Sequence, residues 1–337
     1  MNLNNLEKIL EKEPKYRQKQ ANSAIFVNLI DDWQSATFFD LQLRQELNKE
    51  CPLSIEAETI VSKTEDSIKT RITLKDGLKI ESVLMRHQDG RNTVCVSCQV
   101  GCALGCQFCA TGQMGFKRNL DYFEIIEQVL FFARYLKKQT DNNRISNVVF
   151  MGMGEPFLNY DNVLKAIRIL NDKEGFNIGA RNISISTAGI TEGIEKLSRE
   201  GLQANLAVSL HAPNDKLRTQ IMPINKKYNI EQILKAVDEY IKITKRKVMF
   251  EYLLIKDVND SDQCAEELIK LMQKPLYFLN LILYNSTGDF KPSSTKRVEE
   301  FKNLLKNAGV NFSQRYRFGD DINAACGQFI VKNKEIL

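Results

Sequence analysis

Five of the eight cysteines in this chain of 337 residues fall between Cys95 and Cys109. Cys102, Cys106 and Cys109 stand in CALGCQFC, a C-x3-C-x2-C spacing, with Cys98 and Cys95 just upstream; Cys51, Cys264 and Cys326 lie elsewhere. Disulfide frameworks belong to short secreted chains, so crowding of this kind in a long chain reads as a metal or cluster site. Two chemistries compete for it. A structural zinc needs four ligands in a closed tetrahedron, usually as two separated pairs, and here would have to recruit Cys98. A three-cysteine loop suits a 4Fe–4S cluster with one iron left open to a small molecule. Gly101, Gly105 and the Thr111-Gly112 step allow the tight wrapping such a loop requires.

The elements that must position this loop follow a strand-then-helix rhythm. Strands are expected over 93–100, 147–151, 182–186, 205–210, 247–254 and 278–283. Helices are expected over 122–138, 162–171, 192–199, 230–241, 263–273 and 294–307. Tyr122–Lys138 carries the clearest pattern, with Ile125, Ile126, Val129, Leu130, Ala133 and Leu136 on one face and capping-box spacing between Asp121 and Glu124. Six such units argue a parallel sheet, doubly wound or curled into an incomplete barrel. Ahead of them, residues 1–50 read as a helical accessory domain and 51–92 as a β hairpin linker around the Asp76-Gly77 turn. Residues 93–309 form the core, and 310–337 add a strand (310–316) and a loop around Cys326.

Composition is ordinary for a globular protein, 43% hydrophobic and 26% charged. No stretch approaches the length of a membrane helix, and the N-terminus, a polar helical pattern with acidic residues and no apolar run, is no signal peptide, so a cytosolic protein without membrane partners is expected. The net charge of +5 permits a nucleic-acid partner without demanding one.

The cysteine loop, with Phe108 before its third cysteine, resembles that of the radical S-adenosylmethionine (SAM) superfamily, and MGMGEP (151–156) is similar to its SAM amino-group loop. The resemblance selects an incomplete (β/α)6 TIM-like barrel over a doubly wound sheet. It also reaches family level: CVSCQVGCALGCQFCATGQMGFKRNL, FMGMGEPFLNYDNV, SLHAPND, MPINKKY, FEYLLIKDVNDS and GDDINAACGQF resemble the dual-specificity adenine-C2 methyltransferases of large-subunit ribosomal RNA and tRNA, a family that includes related C8 resistance methyltransferases.

That resemblance implies that Cys102, Cys106 and Cys109 hold a 4Fe–4S cluster, and that Gly154, Glu155, Ser186, Ser209, His211 and Asn285 surround SAM. It implies that Cys326 is methylated first, by SN2 transfer from one SAM. A 5′-deoxyadenosyl radical from a second SAM then takes a hydrogen from that methyl, the thiomethylene radical adds to the base, and Cys95 releases the product by forming a disulfide with Cys326. Adenine C2 is electrophilic and has no nucleophile to offer an SN2 methyl donor, which is why such a route is needed. Glu81 corresponds to the family's proton acceptor, with one extra residue between it and Cys95; taken alone it would read as a solvent-facing strand glutamate. Ribosomal RNA and tRNA are the implied partners, with an electron donor such as flavodoxin or ferredoxin, and a monomer is expected.

Other residues divide by context. His211, in SLH at a strand end, is expected to wall the SAM pocket and not to act as an acid or base, whereas His87 is expected on the surface. Cys98 stands where the family commonly has serine; it reads either as an inert buried thiol or as a competitor in the Cys95–Cys326 exchange or in cluster ligation. Cys51 and Cys264 read as core thiols. Lys117, Arg118, Lys226, Lys227, the 242–247 run, Arg315 and Arg317 are the expected RNA contacts around the barrel mouth. Glu155-Pro156 and GDD favour C2 over C8, while Phe318 leans the other way. A zinc-bearing adaptor, or a radical SAM enzyme with a substrate other than RNA, remain the rival classes.

Overall fold

The computed structural model describes residues 1–139 and 144–329. Three helices open the chain: α1 (Leu3–Leu10), α2 (Lys15–Phe26) and α3 (Leu41–Glu50). They bury Leu3, Leu6, Leu10, Leu43 and Leu47 together with Trp33, whose indole N–H donates to the Cys51 carbonyl at 2.9 Å. Strands β1 (Ala57–Val61), β2 (Ser67–Thr73) and β3 (Lys79–Arg86) follow as an antiparallel meander. The expected hairpin is therefore three strands. It is also continuous with the core, because β3 pairs antiparallel with β4 (Asn92–Cys95).

The expected first core strand, 93–100, is divided. Its second half is β5 (Gln99–Gly101), which pairs with β6 (Phe116–Asn119) in a separate ribbon around the cysteine loop. Ser97 breaks the run: its amide and carbonyl bond the buried Gln128 side chain, and its hydroxyl donates to the Glu81 carbonyl at 2.6 Å. The short helix α4 (Ala110–Gln113) closes the loop, and α5 (Tyr122–Lys137) begins with the expected capping box.

From β4 onward the crossovers are regular. Strand β7 (Asn147–Phe150) leads to α6 (Tyr160–Asn171), β8 (Ile183–Thr187) to α7 (Thr191–Arg199), and β9 (Asn205–Ser209) to α8 (Asp215–Ile221) and α9 (Ile230–Thr244). Strand β10 (Val248–Leu254) precedes α10 (Asp262–Leu271), β11 (Tyr277–Leu283) precedes α11 (Thr295–Asn307), and β12 (Phe312–Gln314) ends the series. The strands pair in parallel in the order β4-β7-β8-β9-β10-β11-β12. A doubly wound sheet reverses direction at a switch point, whereas a singly wound order curls into a barrel. Among the described residues β12 and β4 do not pair, so the barrel stays open. No helix of the described residues is long and apolar enough to cross a membrane.

Candidate active site

Side chains that bear chemistry gather at the C-terminal ends of the parallel strands, where loops can reach inward without disturbing the core. A cleft of about 940 Å³ opens there. Cys102, Cys106, Cys109, Gly154, Glu155, Ser186, Ser209, His211 and Cys326 all line it, nine of the expected site residues. Cys95 and Asn285 line a neighbouring slot of about 530 Å³, and Cys326 belongs to both spaces. Glu81 lines neither.

The cysteine loop is held by its own backbone and by the C-terminal segment. Gly101 adopts φ +75°, and a Cβ there would sit 1.8 Å from the Gly115 carbonyl oxygen, so only glycine fits. The Cys102 amide donates to that carbonyl at 3.0 Å. Ala110 N–H donates to the Gly327 carbonyl at 2.8 Å, and the Thr111 hydroxyl to the Phe329 carbonyl at 2.6 Å. These two bonds bring Cys326 beside the three-cysteine loop. All eight cysteines are free thiols.

At the end of β7, Gly154 takes φ +99° against the Gln99 side chain, which accepts the Glu155 amide at 2.8 Å. The Glu155 carboxylate accepts N–H groups from Ala188 (2.7 Å) and Phe157 (3.1 Å), yet burial still pushes it up to about 7. Across the cleft, the hydroxyls of Ser186 and Ser209 donate to Glu251 at 2.6 and 3.2 Å, and Arg315 lies 3.5 Å from the same carboxylate. Glu251 interrupts the otherwise apolar strand VMFEYLL, a signal that sequence reasoning passed over.

His211 is buried, and its Nδ1 accepts the Leu253 N–H at 3.1 Å, which leaves the proton on Nε2. Burial lowers its basicity to about 3, so the ring is a neutral wall, edge-on to Phe108 with ring centroids 4.9 Å apart. The loops on either side of it are tied by Arg218, a fully buried guanidinium unremarked in the sequence. It donates to the carbonyls of Ala188, Ser209, Leu210 and Tyr228 and to Asn225 Oδ1. The MPINKKY segment thus supplies acceptors that hold the β8 and β9 ends in place.

Several expectations are revised. Glu81 does not face solvent: it is wholly buried, 2.8 Å from Lys69 Nζ and 3.6 Å from Arg71. His87 is half-buried, bonded to Thr93 at 2.9 Å and edge-on to Phe318. Arg315 is turned inward toward Glu251, and Arg118 pairs with Glu124 and Asp76. The 242–247 run connects α9 to the N-terminal end of β10, on the rim opposite the cleft. Cys98 is buried, and its thiol donates to the Met153 carbonyl at 3.6 Å, away from the cleft lining. A zinc site built from Cys98 and the loop therefore loses its fourth ligand. Among the described residues no three His, Cys, Asp or Glu groups close on a point that would hold a single ion. The three loop thiols instead border a shared space, which fits a cluster whose metals are spread over several ångströms.

Comparison with known proteins decides the family. A profile of the radical SAM superfamily matches residues 96–271. A probable dual-specificity RNA methyltransferase RlmN of Dictyoglomus thermophilum is 44% identical over 318 residues, covering 94% of this chain and 90% of that one. This chain belongs to the RlmN family of the radical SAM superfamily. A ribosomal RNA large subunit methyltransferase N from Nitrosopumilus maritimus is 43% identical over 93% of this chain and 92% of its own. The crystal structure of a radical SAM methyltransferase from Sphaerobacter thermophilus superposes with a TM-score of 0.93 at 42% identity, covering 98% of this chain and 97% of that one. Membership in this superfamily implies a 4Fe–4S cluster and SAM. The donor set fits both: three soft thiols on one cleft for iron, and hydroxyl, carboxylate and backbone groups around it for a charged amino acid.

Proposed function

We propose that this enzyme methylates C2 of an adenosine in 23S ribosomal RNA, and an anticodon-loop adenosine of tRNA, with two SAM consumed per turnover. The observation that carries the reading is the position of Cys326. It lies between the cleft bordered by the three loop thiols and the slot that holds Cys95, in a chain 44% identical to a dual-specificity RNA methyltransferase.

Cys102, Cys106 and Cys109 would hold the cluster beside the space for SAM. Gly154, Glu155, Ser186, Ser209 and His211 surround that SAM, and Asn285 reaches it from the slot side. Cys326 first takes a methyl by displacement, its thiol proton being lost and S-adenosylhomocysteine leaving. When bound, the cluster and a second SAM would supply a 5′-deoxyadenosyl radical able to take one hydrogen from the methyl that Cys326 carries. Cys326 then delivers the one-carbon unit to adenine C2; that carbon loses its hydrogen as a proton, for which Glu81 is the acceptor, and the unpaired electron left on the adduct would return to the cluster. Glu81 lines neither space, so this transfer needs a relay or a shift of the slot wall. Cys95 attacks the Cys326 sulfur, closing a disulfide as the carbon–sulfur bond breaks; the freed methylene takes up a proton to become the methyl group, and the two thiols must be reduced again before the next cycle. Burial, with Cys326 alongside, pushes the Cys95 thiol up to about 12 while Arg315 opposes the shift. Cys95 therefore stays a protonated, quiet thiol until the loop changes around it.

The base must leave its stack to reach Cys326, so the substrate adenosine is extruded or in a loop. Residues 1–50 form a helical accessory domain, 51–92 the β linker, 93–309 the core that does the chemistry, and 310–337 brings Cys326. The enzyme works as a cytoplasmic monomer with an electron donor of the flavodoxin or ferredoxin kind. The test is anaerobic incubation of the reconstituted enzyme with SAM and unmodified ribosomal RNA and tRNA, followed by nucleoside mass analysis. 2-Methyladenosine is expected. 8-Methyladenosine moves the protein to the resistance branch, and no methylated base refutes an RNA substrate.

A further inference from the structure

Cys326 separates two spaces of different character. On the cluster side the cleft is lined by hydroxyl, carboxylate and imidazole groups. On the other side the slot has apolar walls, among them Val83, Met85, Ile282 and Phe329, with Cys95 inside and the aromatic pair Tyr316 and Phe318 among its lining. Tyr316 is 64% exposed. A single exposed aromatic residue is ordinary on a protein surface. This one differs because its surroundings are fixed. Its predecessor Arg315 is anchored inward by its backbone N–H to the Leu281 carbonyl at 2.8 Å, and its successor Arg317 donates to the Tyr284 carbonyl at 2.8 Å. Its ring packs on Phe318 with centroids 4.7 Å apart, and Phe318 packs in turn on His87, which Thr93 ties to β4. The tyrosine is held in place at a slot that leads to both redox cysteines.

We infer that Tyr316, backed by Phe318, is the stacking platform that receives the extruded target adenine and guides it into the slot toward Cys326. The inference rests on the proposed RNA activity. The occupant follows from the arrangement: the radical source lies on one side of Cys326, so the acceptor must come from the other, and that side offers apolar walls and an aromatic face. A purine ring is planar, apolar on its faces and able to stack on tyrosine, whereas a phosphate would meet only Arg315 and Arg317 on the slot's charged side, the first already paired with Glu251 and the second with Asp320 and the Tyr284 carbonyl. Stacking platforms of this kind tolerate sequence, because every base has a π-face. The platform therefore sets how readily a base enters, and not which nucleotide is chosen.

The test compares wild type with Tyr316→Ala, Phe318→Ala and Tyr316→Phe, all as anaerobically reconstituted full chains. The methylated nucleotide is first mapped with wild type, and 2-aminopurine is then placed at that position in a short RNA. With Tyr316→Ala, KM for RNA is expected to rise about 10-fold with little change in kcat. The 2-aminopurine fluorescence change seen on wild-type binding should be largely lost, and Tyr316→Phe should restore both. Loading of methyl on Cys326 needs no RNA and is read by intact mass, so a variant that loads normally is folded. If Tyr316→Ala and Phe318→Ala load normally yet keep KM and the fluorescence change within twofold of wild type, the platform is wrong while the proposed function stands. A wild-type enzyme that methylates no RNA overturns the proposed function and the platform with it.

Discussion

Replacing Lys69 with methionine tests how the base candidate and the reactive loop are joined. The Lys69 ammonium lies 2.8 Å from Glu81 and donates to the Asn323 carbonyl at 3.0 Å, three residues before Cys326. It also sits over the Phe329 ring, 5.8 Å from its centroid. Breaking a buried ion pair from one side costs about 3–5 kcal/mol, because the remaining charge loses its compensation. Arg71, at 3.6 Å, retains part of that compensation, so the lower end applies, and the lost bond to Asn323 adds about 1 kcal/mol. Lys69→Met should therefore destabilise the protein by roughly 3–4 kcal/mol, a midpoint shift of roughly 4–6 °C in a thermal melt of a chain this long. Glu81→Gln in the same chain removes the stranded charge and should recover about 2 kcal/mol. Denaturant melts of the two single variants and the double variant give the coupling directly. Limited proteolysis should also cut the 319–329 segment faster in Lys69→Met. A coupling near zero, or a single variant as stable as wild type, would refute the reading that one ammonium holds both elements.

Four shorter predictions follow. Arg218→Lys keeps the charge but cannot serve five acceptors at once; a loss of about 3–5 kcal/mol and weakened SAM binding are expected, checked by melting and by ligand titration. Glu155 binds its proton more tightly in the folded chain than its ordinary value of 4.5 would allow, so folding takes up a proton between there and about 7. Stability of the ligand-free protein should fall by about 3 kcal/mol across that window as pH rises, a slope that Glu155→Gln removes. His211 runs the other way: its lowered basicity makes stability fall as pH drops from 6.5 toward 3, and the pH–rate profile should show no limb from this residue. Cys98→Ser should change stability by less than about 1 kcal/mol and leave the two-thiol exchange intact, as read by methyl loading and product yield, since a serine hydroxyl can also donate to the Met153 carbonyl that the thiol meets.

Much of this architecture was readable because it is periodic. The parallel strands and their helices announce themselves by apolar runs and caps, and α5 begins where Asp121 and Glu124 require. The thiol loop was legible because its residues are adjacent in sequence. What could not be read were contacts that depend on which way a side chain turns after folding. Arg315 looks like any basic residue near the C-terminus, yet it faces Glu251 in the cleft. Lys69 and Glu81 stand on neighbouring strands, and their contact becomes visible only once the β2–β3 register is known. The break at Ser97 hid for the same reason: a buried glutamine from α5, thirty-one positions away, captures its backbone. Arg218 could have been suspected from the asparagine of the MPINKKY segment, but its five acceptors come from three separate parts of the chain.

The central claim is that the methyl group passes through Cys326 and loses one hydrogen on the way. Incubating the reconstituted enzyme anaerobically with SAM bearing a trideuterated methyl, then weighing the 2-methyladenosine released from RNA, tests it most directly. The account predicts a product that retains two of the three deuteriums, with the third found in 5′-deoxyadenosine. Retention of all three would contradict it, because the methyl would then have moved intact.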